Sequence, residues 1–331
     1  MQTFLLTIQQ TASLLAIIFI GYFFRKKKII NADGQKMLAG LLVNLFSPAY
    51  GISNLSSTLS ADKVVEYVVY LLVCAFLSIL LIFIGLPLAN TFGKTKLQKN
   101  ILKYAFTFGN IGYFGYPLLQ AVYPQLLPAY IIFCVPMNIA IATYGYAVLT
   151  EKISNEPLEG ATKMNKSKML KRAFLSLPFI GTVIGITIGL LPITLPNVIS
   201  VTLSTLGSCQ GATAMLLTGS VLASVPFKQL FTAWKPYFFG FIRLVIVPLI
   251  IIAIFVIINL CGVHGELFKG VAVLSIIASA MPIGMNVVVY PESAGLDSTE
   301  GAKTCFISYV LAVAFMPVMF MLMETITNGF V

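Results

Sequence analysis

Apolar residues run along this chain in long blocks. They show neither the alternation of a half-buried strand nor the single stripe of a soluble amphipathic helix. Ten blocks stand out, at about 4–24, 37–55, 64–88, 101–122, 129–149, 173–191, 198–222, 234–258, 267–290 and 304–323. Each approaches the roughly 20 residues a helix needs to cross the hydrocarbon core of a bilayer. Short breaks carrying Pro, Gly or charge separate them. One break is longer, about 150–172, and holds Glu151, Lys152, Glu156, Lys163, Lys166, Lys168, Lys171 and Arg172. It divides the chain into a first unit of five blocks (1–150), a basic loop (151–172) and a second unit of five (173–331). Backbone polar groups in lipid must be satisfied within their own segment, so each block is expected to be helical. The expected fold class is all-α, a polytopic membrane protein with ten transmembrane helices.

Composition narrows the class. The 331 residues are 58% hydrophobic and 10% charged, with a mean hydropathy of +0.95. A soluble domain carries about 25% charge, so a soluble globular enzyme is excluded. A disordered chain needs low hydrophobicity and high charge, and is excluded too. The net charge of +10 does not point to nucleic acid, because the basic residues sit in short loops between apolar blocks. With the N-terminus outside, 19 of the 21 Lys and Arg fall in or beside inner loops. They are Arg25, Lys26, Lys27, Lys28 and Lys36; Lys94, Lys96, Lys99 and Lys103; the six of the middle loop; and Lys228, Lys235, Arg243 and Lys303. Lys63 and Lys269 fall outside. Inner loops of membrane proteins carry excess Lys and Arg, and one span more or fewer would scramble the split. The expected topology is therefore ten spans in the cell (plasma) membrane with both termini extracytoplasmic. Nothing basic precedes the first block and four basic residues follow it, the reverse of a cleavable signal. The first span is expected to stay. Cys74, Cys134, Cys209, Cys261 and Cys305 lie singly, without a C-x-x-C pair or a His at metal spacing, so no disulfide framework, metal or other cofactor is expected.

Five spans per half is an odd number, which turns the second half upside down relative to the first. Inverted repeats of this kind build many secondary transporters, whose matching helices are broken at the binding site. The fourth span of each half carries such a break. Span 4 reads Phe108-Gly109-Asn110-Ile111-Gly112-Tyr113-Phe114-Gly115-Tyr116-Pro117, and span 9 reads Ser279-Ala280-Met281-Pro282-Ile283-Gly284-Met285-Asn286. Gly weakens a helix and Pro removes a donor. Half-helix N-termini then present N–H groups and partial positive charge to an anion such as a carboxylate. Asn110 and Asn286 add side-chain amides. The competing reading is that Gly and Pro merely permit packing or a kink. Spans 2 and 7 also match in position, and Ser47, Gln210 and Thr213 are candidates to line the same cavity. Hydrogen bonds between helices are the alternative for these three. Gly181, Gly185 and Gly189 share one face of span 6, which predicts tight helix packing.

No Asp or Glu falls well inside a span; Glu66 and Glu324 lie near outer ends. Arg243 is the deepest charge, a candidate to help hold an anion or else a cation that snorkels to the inner surface. His264 falls in an outer loop. The energy source is not encoded: uniport and coupling to a proton or sodium both stay open.

Gly109-Asn110-x-Gly112-Tyr113-x-Gly115-x-Pro117, Met281-Pro282-x-x-x-Asn286 and the span 7 stretch Leu206-Gly207 through Gly211-Ala212-Thr213-Ala214 to Leu222, in this order over ten spans, resemble the auxin efflux carrier family. The resemblance covers essentially the whole chain. It implies a fold like that of bile acid:sodium symporters, with helices 4 and 9 crossing between a scaffold and a transport domain. It places Asn110, Pro117, Pro282 and Asn286 at the crossover, and it alone implies a homodimer. Plant members carry Asn-Pro-Asn-Thr-Tyr in the fourth helix where Gly109-Asn110-Ile111-Gly112-Tyr113 stands here, and many have a far longer middle loop. Both departures favour a prokaryotic carrier of small organic anions such as malate or malonate over an auxin carrier. The substrate site expected from motif and resemblance together is Ser47, Gly109, Asn110, Gly112, Tyr113, Pro117, Gln210, Thr213, Pro282, Gly284 and Asn286.

The expected function is a secondary transporter whose crossover domain, roughly spans 3–5 and 8–10, shifts elevator-fashion against spans 1, 2, 6 and 7. Its expected partners are a small organic anion and membrane lipid. An intramembrane enzyme would need Ser with His, paired Asp, or metal ligands within the membrane, and the spans carry none. An anion channel or membrane sensor is the remaining alternative, although a channel needs a continuous polar path and this sequence offers one central cluster.

Overall fold

A computed structural model describes residues 2–150, 174–191, 193–223, 226, 228, 231–232, 234–293, 296 and 298–330. The predicted basic loop at 151–172 lies outside these residues. Among the described residues all regular elements are helical. Five helices are long and apolar enough to cross a membrane: Thr3–Lys26, Ala32–Ser57, Ala61–Phe92, Trp234–Leu260 and Thr299–Thr327. There are six if Pro124–Phe133 and Val135–Leu149, bent by 47° at their junction, count as one span.

That is fewer than the ten spans expected from the sequence. The fourth block is split into α5 (Lys96–Thr107) and α6 (Gly115–Val122), and the ninth into α14 (Glu266–Ser279) and α15 (Asn286–Ser293). The sixth contributes α10 (Leu177–Leu190), 14 residues long. The seventh, α11 (Asn197–Leu222), is long but diluted by Ser, Thr and Gly. The others are α1 (Gln2–Lys26), α2 (Ala32–Leu41), α3 (Ser47–Thr58), α4 (Val64–Phe92), α7 (Leu127–Phe133), α8 (Val135–Ala140), α9 (Tyr146–Leu149), α12 (Trp234–Phe241), α13 (Val247–Leu260) and α16 (Thr299–Thr327).

Two long rods pass a proline by way of a wide turn. A wide π turn, Leu42–Phe46, joins α2 to α3, and another, Ile242–Ile246, joins α12 to α13. Pro48 and Pro248 each stand two residues beyond. A proline ring crowds the carbonyl four residues back and offers it no N–H. The extra residue of a π turn gives that carbonyl room, so the rod continues.

The helices pack in close pairs: α1 on α11, α3 on α10, α4 on α5, and α12 on α16. Small residues set two of these contacts. Gly181 and Gly185 of α10 lie so near α3 that a Cβ on either would stand 2.6 Å from Pro48 Cα or Gly51 O. The glycine face read from the sequence thus packs within the chain, and Gly21 and Gly219 do the same for α1 on α11. Lipid gives helices no hydrophobic reason to associate, so such close approach carries the packing. Conversely, Val65, Leu72, Phe76, Ile79 and Phe83 of α4 are exposed. A lipid-facing surface is where such side chains belong; in water a patch this size would aggregate. Gly185→Leu is expected to wedge α10 from α3 and destabilise the protein by about 1–3 kcal/mol, read as a lowered melting temperature in detergent. An unchanged melt would refute this packing role.

Candidate functional site at the helix crossover

The two interruptions meet. After Thr107 the chain leaves the α5 helix, and Gly109 forms a two-residue antiparallel bridge with Ile283, between α14 and α15. Asn110 N–H donates to the Pro282 carbonyl at 2.6 Å, and Gly284 N–H donates to the Phe108 carbonyl at 3.1 Å. Ile283 N–H donates to Ser308 Oγ of α16 at 3.1 Å. Unwound backbone is tolerated at membrane depth only where protein or a wet cavity satisfies it, and here each break satisfies the other. Glycine is required for the approach: a Cβ on Gly284 would stand 2.8 Å from Tyr104 Oη and 3.1 Å from the Gly109 carbonyl. Proline is tolerated at position 282 because the bridge uses only its carbonyl and asks no N–H of it.

Asn110 is 3% exposed, and its amide is largely committed. Its Nδ2 donates to Tyr309 Oη at 2.6 Å, and its Oδ1 accepts from Phe114 N–H at 3.3 Å, capping the start of α6. One amide hydrogen is left for anything else. Asn286, the first residue of α15, is partly exposed at the same centre.

Arg243 is fully buried in the wide turn between α12 and α13. Its Nε donates to the Met281 carbonyl at 3.1 Å, Nη1 to the carbonyls of Phe106 and Thr107 at 3.3 and 3.4 Å, and Nη2 to that of Ala278 at 3.3 Å. It therefore does not snorkel. It holds the carbonyl ends of α5 and α14 together, and it lies directly behind Gly109, where a Cβ would strike its guanidinium.

In front of the crossover lies a partly open cavity of about 250 Å³. Ser47, Gly109, Asn110, Gly112, Tyr113, Gln210, Gly284 and Asn286 line it. Pro117, Pro282 and Thr213 do not. Pro117 packs against Gly211 of α11, Pro282 serves the bridge, and Thr213 is half-buried on α11. Side chains not among the expected site residues complete the wall: Tyr50, Tyr116, Asn138, Tyr146, Tyr290 and Thr182. Tyr50 and Tyr116 stack at 5.2 Å, and Asn138 donates to Tyr116 Oη at 3.4 Å. Asn138, an amide inside an apolar block, gave the same signal as Asn110; the tyrosines gave none, being ordinary in such helices. Gln210 is 5% exposed, and its Oε1 has no hydrogen-bond partner among the described residues. An unmet polar atom beside a cavity suits a polar guest.

Residues 6–320 match the model of a family described as membrane transport protein. A protein of Methanocaldococcus jannaschii described as an uncharacterized transporter is 25% identical over 124 residues, 36% of this chain and 39% of that relative. The chain thus spans well under half the length of that relative. The family match runs from the first helix into the last, and the chain belongs to the membrane transport protein family, that of the auxin efflux carriers.

Proposed function

We propose that the protein is a secondary transporter of a small organic anion, a carboxylate such as malate or malonate or an auxin-like acid, bound in the crossover cavity. The observation that carries this reading is the arrangement around that cavity. Two helix starts, α6 and α15, begin at its wall beside the amide of Asn286. Helix N-termini favour anions, and a pocket with few placed polar groups in an apolar wall suits a small ligand.

The architecture in this reading is ten spans in two inverted halves of five. Pairing supports it: inversion exchanges spans 1 and 6 and spans 2 and 7, so packing of α1 on α11 calls for packing of α10 on α3, and both occur. With the N-terminus outside, Val43, Tyr146, Ser176 and Tyr290 mark the cavity's inner end, so it would load from the cytoplasm. At the opposite end Glu324 Oε1 accepts from Thr3 Oγ1 and Tyr123 Oη, both at 2.8 Å, tying α1 to the crossover unit. Elevator movement of spans 3–5 and 8–10 would release that tie. A homodimer rests on the family resemblance alone, and uniport and coupling to a proton or sodium both stay open.

Purified protein in proteoliposomes tests the reading against a panel of mono- and dicarboxylates. Saturable uptake with counterflow is the expected result. A large, non-saturating conductance would mean a channel, and no flux of any carboxylate would remove the substrate class.

A further inference from the structure

We propose that Arg243 is the charge determinant of the crossover site: its guanidinium cancels the carbonyl ends behind Gly109, so that the cavity in front presents positive potential and selects an anion over a neutral ligand of the same shape. This rests on the anion-carrier reading above and goes beyond it by naming what sets the charge preference.

The argument starts from the cost of the residue. A charge buried among apolar helices is expensive and is kept where it has a partner or a task. Among the described residues no carboxylate lies within salt-bridge distance of Arg243; its partners are four carbonyl oxygens at the last turns of α5 and α14 and just beyond. Arginine stays protonated in proteins and spreads its donors over a planar fork. A helix C-terminus carries about −0.5 charge and an N-terminus about +0.5. Two carbonyl ends converging behind the cavity therefore bring roughly one negative charge. Left bare, they would oppose the two helix starts, α6 and α15, on the cavity side. One guanidinium offsets them, and the helix starts are left to act on the guest. The unpartnered Gln210 Oε1, on a residue 5% exposed in the same wall, is an acceptor and can take a hydrogen bond from a donor that the guest or its bound water brings.

A matched pair of probes tests this: phenylacetate, an anion, and phenylacetamide, its neutral isostere. Their affinities are measured on the full chain in nanodiscs for the parent, Arg243→Gln and Arg243→Lys, with helicity and melting temperature followed in parallel. The parent is expected to prefer the anion. Arg243→Gln is expected to lose roughly tenfold in affinity for phenylacetate while its affinity for the amide stays nearly unchanged. Arg243→Lys keeps the charge but presents its donors from one nitrogen, so it is expected to retain the anion-over-amide ratio even where both affinities fall. Folded Arg243→Gln with the parental ratio overturns the proposal, as does an equal loss for both probes, which a purely structural role would give. If Arg243→Gln does not fold, Arg243→Lys decides: a retained ratio supports the proposal, and a lost ratio in folded protein overturns it. A parent that takes up carboxylates while both variants keep its ratio refutes only the role of Arg243. A parent that binds no carboxylate refutes the transporter reading itself.

Discussion

Asn286→Ala is expected to cut carboxylate uptake by roughly tenfold or more at little cost in stability, whereas Asn110→Ala is expected to lower stability first. The difference follows from what each amide already does. Asn286 is partly exposed at the cavity wall, at the start of α15. Losing it removes a hydrogen bond to a charged guest, worth about 1.5–3 kcal/mol, which is roughly tenfold or more in affinity. Asn110 is buried, and its amide joins Tyr309 Oη to the Phe114 N–H. Alanine there leaves two buried polar groups unmet, about 1–3 kcal/mol each in water-soluble proteins and about 0.6–1.7 kcal/mol per interhelical bond in membranes. Uptake kinetics and detergent melts on both variants check the split. Parental transport by both would refute the site, and a pronounced melting loss for Asn286→Ala would give that residue a structural role instead.

Adding one methyl group at Gly109 is the second large effect. A Cβ there would strike the Arg243 guanidinium and stand 2.9 Å from Met281 Cβ. Backbone on both sides of the bridge is fixed by the bonds from Asn110 and Gly284, so the side chain that yields is Arg243, with its four carbonyl partners. Gly109→Ala is therefore expected to abolish measurable uptake and to destabilise the protein by about 1–3 kcal/mol. Gly40→Ala is the matched control. Gly40 lies in α2 with nothing within 4 Å of its would-be Cβ, and alanine there is expected to be neutral or to stabilise by up to about 1 kcal/mol. Uptake and melting curves for the two variants give the comparison. Similar behaviour of the pair would show that the crossover tolerates the added volume.

The breaks at Gly109 and Pro282 were legible because Gly and Pro act on their own backbone, whatever surrounds them. The glycine face of α10 was legible as packing for a similar reason: three residues at a spacing of four share a side. Arg243 was legible as a deep charge but not as the holder of two helix ends. Its position in the sequence gives its depth; its partners lie 35 to 38 residues away in one segment and 136 to 137 away in another. The aromatic wall of the cavity was hidden because a tyrosine in an apolar helix reads the same whether it faces lipid, core or cavity.

The sequence by itself determined what depends on local chemistry: a chain too apolar for water, helical wherever lipid forbids unsatisfied backbone, and interrupted where residues without a side chain or without an N–H gather. Only the tertiary structure decided that the two interruptions pair with each other, that of the two asparagines at the cavity wall Asn110 also ties the crossover together, and that the buried Arg243 answers the carbonyl ends of both half-helices. Those are contacts between segments from 35 to 199 residues apart, and no periodicity encodes which distant partner will satisfy a freed hydrogen-bonding group.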